Sequence, residues 1–217
     1  MSLPARVRIP AGAAEAELGE RGSRFLARAE RALTVEEGDA LRERERRRFH
    51  GATHHVLACR PLQGDPRSDD DGEPAGTGGR PVLDAIEALD LRAVAVVVTR
   101  WYGGTKLGTG GLARAYGGIA RAALDRMAVV EAVPAVPCEV AFEHADTGAV
   151  MRLLDEAGAR RGELRYGRAA LVEALVPRDA VEPLARRLAD ATAGRARVAP
   201  GEGTRLLPLD GRDRRTT

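Results

Sequence analysis

Read from its amino terminus, the chain shows strand-like patterning over Ala14–Leu18 and Arg24–Ala29, with a turn expected at Gly22-Ser23 between them. Thr34 is placed to cap a helix that runs to about Arg48. His54–Arg60 (HHVLACR) reads as a strand. Pro61–Gly79 is polar, acidic and glycine-rich, the composition of a mobile loop. Pro81 suits the first turn of a helix whose apolar stripe is Val82, Leu83, Ile86 and Leu89. Ala93–Thr99 (AVAVVVT) is almost continuously apolar, as a strand covered on both faces must be. Thr109 is placed to cap the next helix, which carries Leu112, Ala115, Tyr116, Ile119, Ala123, Leu124 and Met127 at helical spacing. Gly117 and Gly118 fall inside it. Each costs about 1 kcal/mol relative to Ala there, which close backbone packing would offset.

Val133–Pro137 (VPAVP) reads as a linker, and the pattern beyond it is different. Cys138–Phe142 is a strand, followed by a helix closed at Gly158. Arg160–Tyr166 and Ala169–Val176 are two strands joined at Gly167; a helix from about Ala180 to Gly194 and a short strand Arg195–Val198 complete the series. The order βαββαβ is the ferredoxin-like split motif. The expected fold class is therefore α+β, with one domain over 14–132, a ferredoxin-like domain over 137–199 and a disordered tail over 200–217.

Composition narrows the function. The chain has 217 residues, 44% hydrophobic but only 3% aromatic, so its cores are built from aliphatic side chains. No run reaches the ~18–20 apolar residues of a membrane span. The start lacks the ~7–15-residue apolar core of a signal peptide, so a cytoplasmic location is expected. Cys59 and Cys138 form no CxxC pair and read as buried, reduced thiols. The net charge is +2, which by itself does not mark a nucleic-acid binder.

The candidate chemistry is concentrated in Asp69–Gly118, which holds eleven of the 25 glycines. Two glycine-rich loops there each lead into a helix, and free N–H groups at a helix start attract anions. The second loop, Trp101–Gly111, also holds Lys106, the only lysine in a chain whose other bases are arginines. It is neither a P-loop nor a dinucleotide fingerprint, and the competing reading is a pair of tight turns that need glycine. Trp101 and Tyr102 could stack on bases or belong to the core. Arg46, Arg47 and Arg48 form either a solvated helix face or a basic contact surface. Asp69, Asp70, Asp71 and Glu73 read as a solvated loop rather than a metal site. His50, His54 and His55 lack HExxH spacing, His54 reading as a hydrogen-bonded buried histidine, and no GxSxG is present. No catalytic residue, metal site or cofactor is assigned.

Several segments together resemble the YigZ/IMPACT family: GSRFLA (Gly22–Ala27), Ala52-Thr53-His54, DDGEPAGTGG (Asp70–Gly79), Arg80-Pro81, VVVTRWY (Val96–Tyr102), Gly103–Lys106, LGTGGL (Leu107–Leu112) and RAYGG (Arg114–Gly118). The resemblance spans about residues 15–200 and fits the bacterial two-domain form. It implies a first domain that is an α/β sandwich like the second domain of small-subunit ribosomal protein five. The second domain would be ferredoxin-like, similar to a carboxy-terminal domain of elongation factor G. Eukaryotic relatives modulate translation partly through a further domain that this pattern lacks, so the implied role is a non-enzymatic RNA- or ribosome-binding factor linked to translation. The alternative is an enzyme, or a remnant of one, that binds a small phosphorylated ligand or nucleotide in the same cleft. Family members often carry Asn at the position of His55 and bulkier residues near Leu57. The expected nucleic-acid or phosphate contacts are Arg80, Arg100, Trp101, Lys106, Thr109 and Arg114, with the backbone of Gly78, Gly79, Gly103, Gly104, Gly110 and Gly111. No membrane partner is expected, and a homodimer is left open.

Overall fold

The computed structural model describes residues 3–209. Its elements run β1 (Val7–Pro10), β2 (Ala14–Glu20), β3 (Ser23–Arg31), α1 (Val35–Arg48), β4 (His54–Arg60), β5 (Arg67–Asp69), α2 (Gly79–Glu87), β6 (Val94–Trp101), α3 (Gly108–Arg126) and β7 (Val129–Phe142), then α4 (Thr147–Glu156), β8 (Arg160–Tyr166), β9 (Ala170–Pro177), α5 (Val181–Ala191), β10 (Arg197–Pro200) and β11 (Arg205–Pro208). This is an α+β protein, with two antiparallel sheets and five α-helices among the described residues. The described chain divides into two units, one holding Arg8–Val130 and the other residues 3–7 with residues 131–209.

In the first unit the sheet order is β2-β3-β6-β4-β5, every pair antiparallel. The apolar run of β6 is buried on both faces because each face has its own core. Val94, Val96 and Val98 join Phe25, Ala27, Val56 and Ala58 under α2 and α3. Ala95 and Val97 point the other way and pack with Leu41 of α1, Leu57 and Cys59. Thr34 caps α1 as expected, its hydroxyl accepting the Glu37 N–H at 3.3 Å. The β2–β3 turn is Arg21-Gly22, one residue earlier than the sequence suggested, and both residues have positive φ (46° and 80°). Gly117 packs against the Pro81 carbonyl, where an added Cβ would lie 3.4 Å away, but Gly118 faces open space and is not explained by packing.

In the second unit β10, β7, β9 and β8 lie side by side in the ferredoxin-like order, and α4 and α5 cover one face. Two expectations fail here. Val133–Pro137 is no linker but the middle of the 14-residue β7. One edge of β7 pairs with β11 over Ala132–Ala135 and with β10 over Cys138–Ala141. Pro137 falls between those two ladders, where its missing N–H is tolerated, and its carbonyl accepts the Gly201 N–H at 2.7 Å. The second correction concerns the tail: Arg205–Pro208 is strand β11, with Leu207 buried. Residues 210–217 of the expected disordered segment lie outside the described residues.

Candidate anion-binding site

The two glycine-rich loops turn out to be opposite cases. At the start of α2, Asp70 already supplies the anion. Its Oδ1 accepts the N–H groups of Gly78 and Gly79 at 2.9 and 2.8 Å, and its Oδ2 accepts that of Gly76 at 2.7 Å. Burial pushes the Asp70 carboxyl up, but the donors at Gly76, Gly79 and Gly78 outweigh it and hold it below the ordinary value. Gly78 and Gly79 are buried, and Cβ atoms added there would fall 2.9 Å from Val56 and 2.6 Å from the Asp69 backbone. These glycines let the chain approach itself. They are not available to an outside phosphate, against expectation.

The start of α3 is open. Leu107 occupies the cap position without a side-chain cap bond, and the first turn holds no acidic residue. Thr109 is therefore inside the first turn and not the cap. Lys106, Thr109, Gly110 and Arg114 are exposed and Gly111 half-buried. Lys106 and Arg114 make no ion pair among the described residues. A Cβ on Gly110 would meet only the Arg114 guanidinium, at 3.5 Å. Beside this turn lies a cleft of about 180 Å³ lined by Arg21 and Glu20 of the hairpin tip and by Leu107, Gly111 and Arg114. Arg21 pairs with its neighbour Glu20 only at 3.8 Å, both largely exposed, and such a pair does little to neutralise it.

Between the two loops is a buried polar network that the sequence reading did not assemble. Arg100, 4% exposed, is not on the surface as expected: its Nη1 donates to Glu73 Oε1 at 2.5 Å. The Tyr116 hydroxyl donates to the same oxygen at 2.7 Å. Burial and then the Glu73 carboxylate drive the Tyr116 phenol above its ordinary value. Arg100 Nη2 and the Gly103 N–H both donate to Ser23 Oγ, at 3.3 and 3.2 Å. His54 lies at the margin, its Nδ1 on the Asp71 carbonyl at 2.8 Å and its Nε2 3.8 Å from Glu73. The only signal for this set was the spacing of DGEP, RWY and RAYGG along the chain. A buried carboxylate shared by an arginine and a tyrosine is a fact of folding that no local pattern contains.

The other expected contacts divide. Arg80 is exposed but spends its charge on Asp84 (2.7 Å) and Glu87 (3.5 Å) of its own helix. Trp101 is half-buried, edge-on to Phe49 at 5.2 Å and under the Arg24 guanidinium at 4.6 Å. Tyr102 is the presented ring, 46% exposed, with its hydroxyl anchored on the Gly104 carbonyl at 2.7 Å. Gly103 is forced by geometry, since a Cβ there would lie 1.9 Å from the Gly22 backbone, and Gly104 has φ 86°. The acidic segment is tied to α1 and β4 by side-chain hydrogen bonds. Asp69 accepts from Arg42 at 2.8 Å, and Asp71 takes Arg46 at 2.5 Å and the His55 N–H at 2.6 Å. Arg46 and Arg48 are similarly paired, Arg48 with Glu15. Cys59 is buried, and burial pushes its thiol up to about 12. Among the described residues no group of His, Cys, Asp and Glu is arranged to hold a metal, and no helix is long and apolar enough to cross a membrane.

An antiparallel α/β layer with two glycine-rich helix starts, followed by a ferredoxin-like unit, defines a two-domain class. Known proteins place the chain within it. Residues 21–124 match the Impact N-terminal domain and residues 140–195 match a domain of unknown function, DUF1949. The IMPACT family member YvyE of Bacillus subtilis is 30% identical over 89% of this chain and 90% of its own length. The IMPACT family member YigZ of Escherichia coli is 31% identical over 79% and 86%. A crystal structure described as that of a hypothetical protein is 29% identical, covers 92% of this chain and 99% of its own, and superposes with a TM-score of 0.67. The chain belongs to the IMPACT family.

Proposed function

We propose that the first unit binds single-stranded RNA, free or on the ribosome, in a role linked to translation, and that a backbone phosphate sits at the start of α3. The observation that carries this reading is the contrast between the two helix starts. Asp70 demonstrates that a glycine-lined start in this fold takes a carboxylate on three N–H groups. The start of α3 has the same chemistry without an internal anion, and unpaired Lys106 and Arg114 stand beside it. Thr109 and the backbone of Gly110 and Gly111 would complete the phosphate contacts, with Gly104 in the approach loop. Tyr102 supplies an exposed ring for stacking next to that loop. Arg100 and Gly103 meet at Ser23 behind the loop, Gly78 and Gly79 are occupied by Asp70, Trp101 packs on Phe49, and Arg80 contributes little because its charge is matched.

The size of the cleft favours this reading over a nucleotide enzyme. A pocket of about 180 Å³ is smaller than the ~300–1,000 Å³ that enclose small-molecule ligands, but a phosphate lying on an open surface needs no enclosure. The test is the salt dependence of binding to unstructured single-stranded RNA. Each phosphate contact to a single strand contributes about −0.7 to the slope of log K against log salt. Lys106→Ala and Arg114→Ala should each weaken binding and reduce the slope by about that amount. Slopes and affinities equal to those of the parent would remove the reading.

A further inference from the structure

The loop that leads to the α3 start is held at both ends by a single buried carboxylate, and we infer that Glu73, Arg100, Ser23 and Tyr116 are positioning residues for the anion site. The inference rests on reading the α3 start as the phosphate contact. At the strand end, Arg100 is the penultimate residue of β6; it donates through Nη1 to Glu73 Oε1 at 2.5 Å and through Nη2 to Ser23 Oγ at 3.3 Å. The same Ser23 oxygen accepts the Gly103 N–H at 3.2 Å, so the first glycine of the loop hangs from the guanidinium through one hydroxyl. At the helix end, Tyr116 of α3 donates to Glu73 Oε1 at 2.7 Å. The carboxylate thus fixes where the loop leaves the sheet and how α3 is set relative to that point.

Between these anchors the chain is also held through Tyr102, whose N–H donates to Thr53 Oγ1 at 3.0 Å and whose hydroxyl donates to the Gly104 carbonyl at 2.7 Å. Residues 105–108 make no side-chain hydrogen bond of their own among the described residues. Gly104 and Gly108 adopt positive φ, and Gly103, Gly104, Thr105 and Lys106 are exposed. A glycine-rich loop of this kind is entropically expensive to order on binding. Ordering it in advance from the buried side leaves its outer face free for a ligand. The network buries its charges, with side chains of Arg100 and Glu73 only 5% and 3% exposed. None of the four residues therefore touches RNA; they act through Gly103 and α3.

The test compares the full chain with Ser23→Ala, Tyr116→Phe and Lys106→Ala. For each, affinity for unstructured single-stranded RNA is measured against salt, and amide hydrogen exchange is followed at Gly103–Lys106. The positioning role predicts that Ser23→Ala and Tyr116→Phe bind about ten-fold more weakly, equivalent to about 1.4 kcal/mol, with an unchanged salt slope because no phosphate contact is lost. Exchange in the loop should accelerate in both, and remain as in the parent in Lys106→Ala. Weaker binding with a reduced slope in Ser23→Ala or Tyr116→Phe would make those residues direct contacts and overturn the assignment. Parental affinity and exchange in both, while Lys106→Ala still lowers the slope, would overturn this inference alone. Parental behaviour in all three would remove the phosphate site itself. Each variant is accompanied by its thermal midpoint; if either network variant is unfolded at the assay temperature, Tyr116→Trp and Ser23→Thr are used, the latter retaining the hydroxyl and expected to bind within two-fold of the parent.

Discussion

At the scale of single residues, Asp70 shows most clearly what the fold asks of a side chain. It caps a helix from eight and nine positions upstream, replacing the usual neighbouring cap with a charged one. Asp70→Ala should lower stability at neutral pH by about 1–2 kcal/mol, as the loss of a strong cap does. It also empties an anion site, so phosphate or sulfate should raise the melting temperature of Asp70→Ala more than that of the parent. Equal shifts would mean that the three N–H groups are not receptive. The pH dependence follows from the lowered carboxyl. Its folded value lies below its ordinary 3.8, so its contribution is complete above that value and is lost as pH falls through the lower folded one. A melting profile of Asp70→Asn from pH ~6 to ~2 should therefore have a shallower acid limb than the parent. In the sequence Asp70 is indistinguishable from the rest of an acidic run, since nothing local distinguishes a carboxylate facing water from one folded back over a later helix.

At the scale of elements, the glycines separate into those the chain needs and those the proposed phosphate site would need. Gly103 belongs to the first kind: a methyl group there collides with Gly22 of the β2–β3 turn at 1.9 Å, which neither backbone can relieve cheaply. Gly103→Ala should cost several kcal/mol, at or above the ~1–3 kcal/mol of ordinary overpacking. Gly110 is the other kind. It lies in the first turn of α3, has room for a Cβ, and Ala is favoured over Gly within a helix by about 1 kcal/mol. Gly110→Ala should therefore melt at or above the parental temperature while binding RNA more weakly, because the methyl group stands where a phosphate must approach the backbone. A variant that is both more stable and fully active would show that Gly110 carries no function. Much at this scale was legible from the sequence: the continuous apolar run of β6, the Thr34 cap, the stripe of α2 and the βαββαβ order were all readable from period and punctuation. The failures were those in which tertiary pairing outranks composition. Prolines at Pro134 and Pro137 signal a linker locally, yet they sit in a strand whose edge changes partner between them.

At the scale of the whole molecule, a net charge of +2 conceals how unevenly free charge is distributed. Many arginines are matched: Arg28 with Glu15 and Glu30, Arg42 with Asp39 and Asp69, Arg165 with Glu163 and Glu173. The cations beside α3 are not matched, so a nearly neutral chain still presents a local positive field of the kind that attracts a polyanion. That field belongs to the first unit, and the second should be alterable without affecting it. β11 offers the means. It adds a strand to β7 beyond the ferredoxin-like set and buries Leu207 opposite Val133. Burying one leucine contributes about 1.5–3 kcal/mol, and the strand's ladder to Ala132–Ala135 adds to it. A chain ending at Glu202 loses both. Calorimetry should show the transition of the second unit shifted down by several degrees, with the transition of the first unit and the salt slope of RNA binding unchanged. A shift of both transitions together would mean that the two units unfold as one cooperative body; no shift would mean that β11 contributes no stability in solution, despite its register with β7.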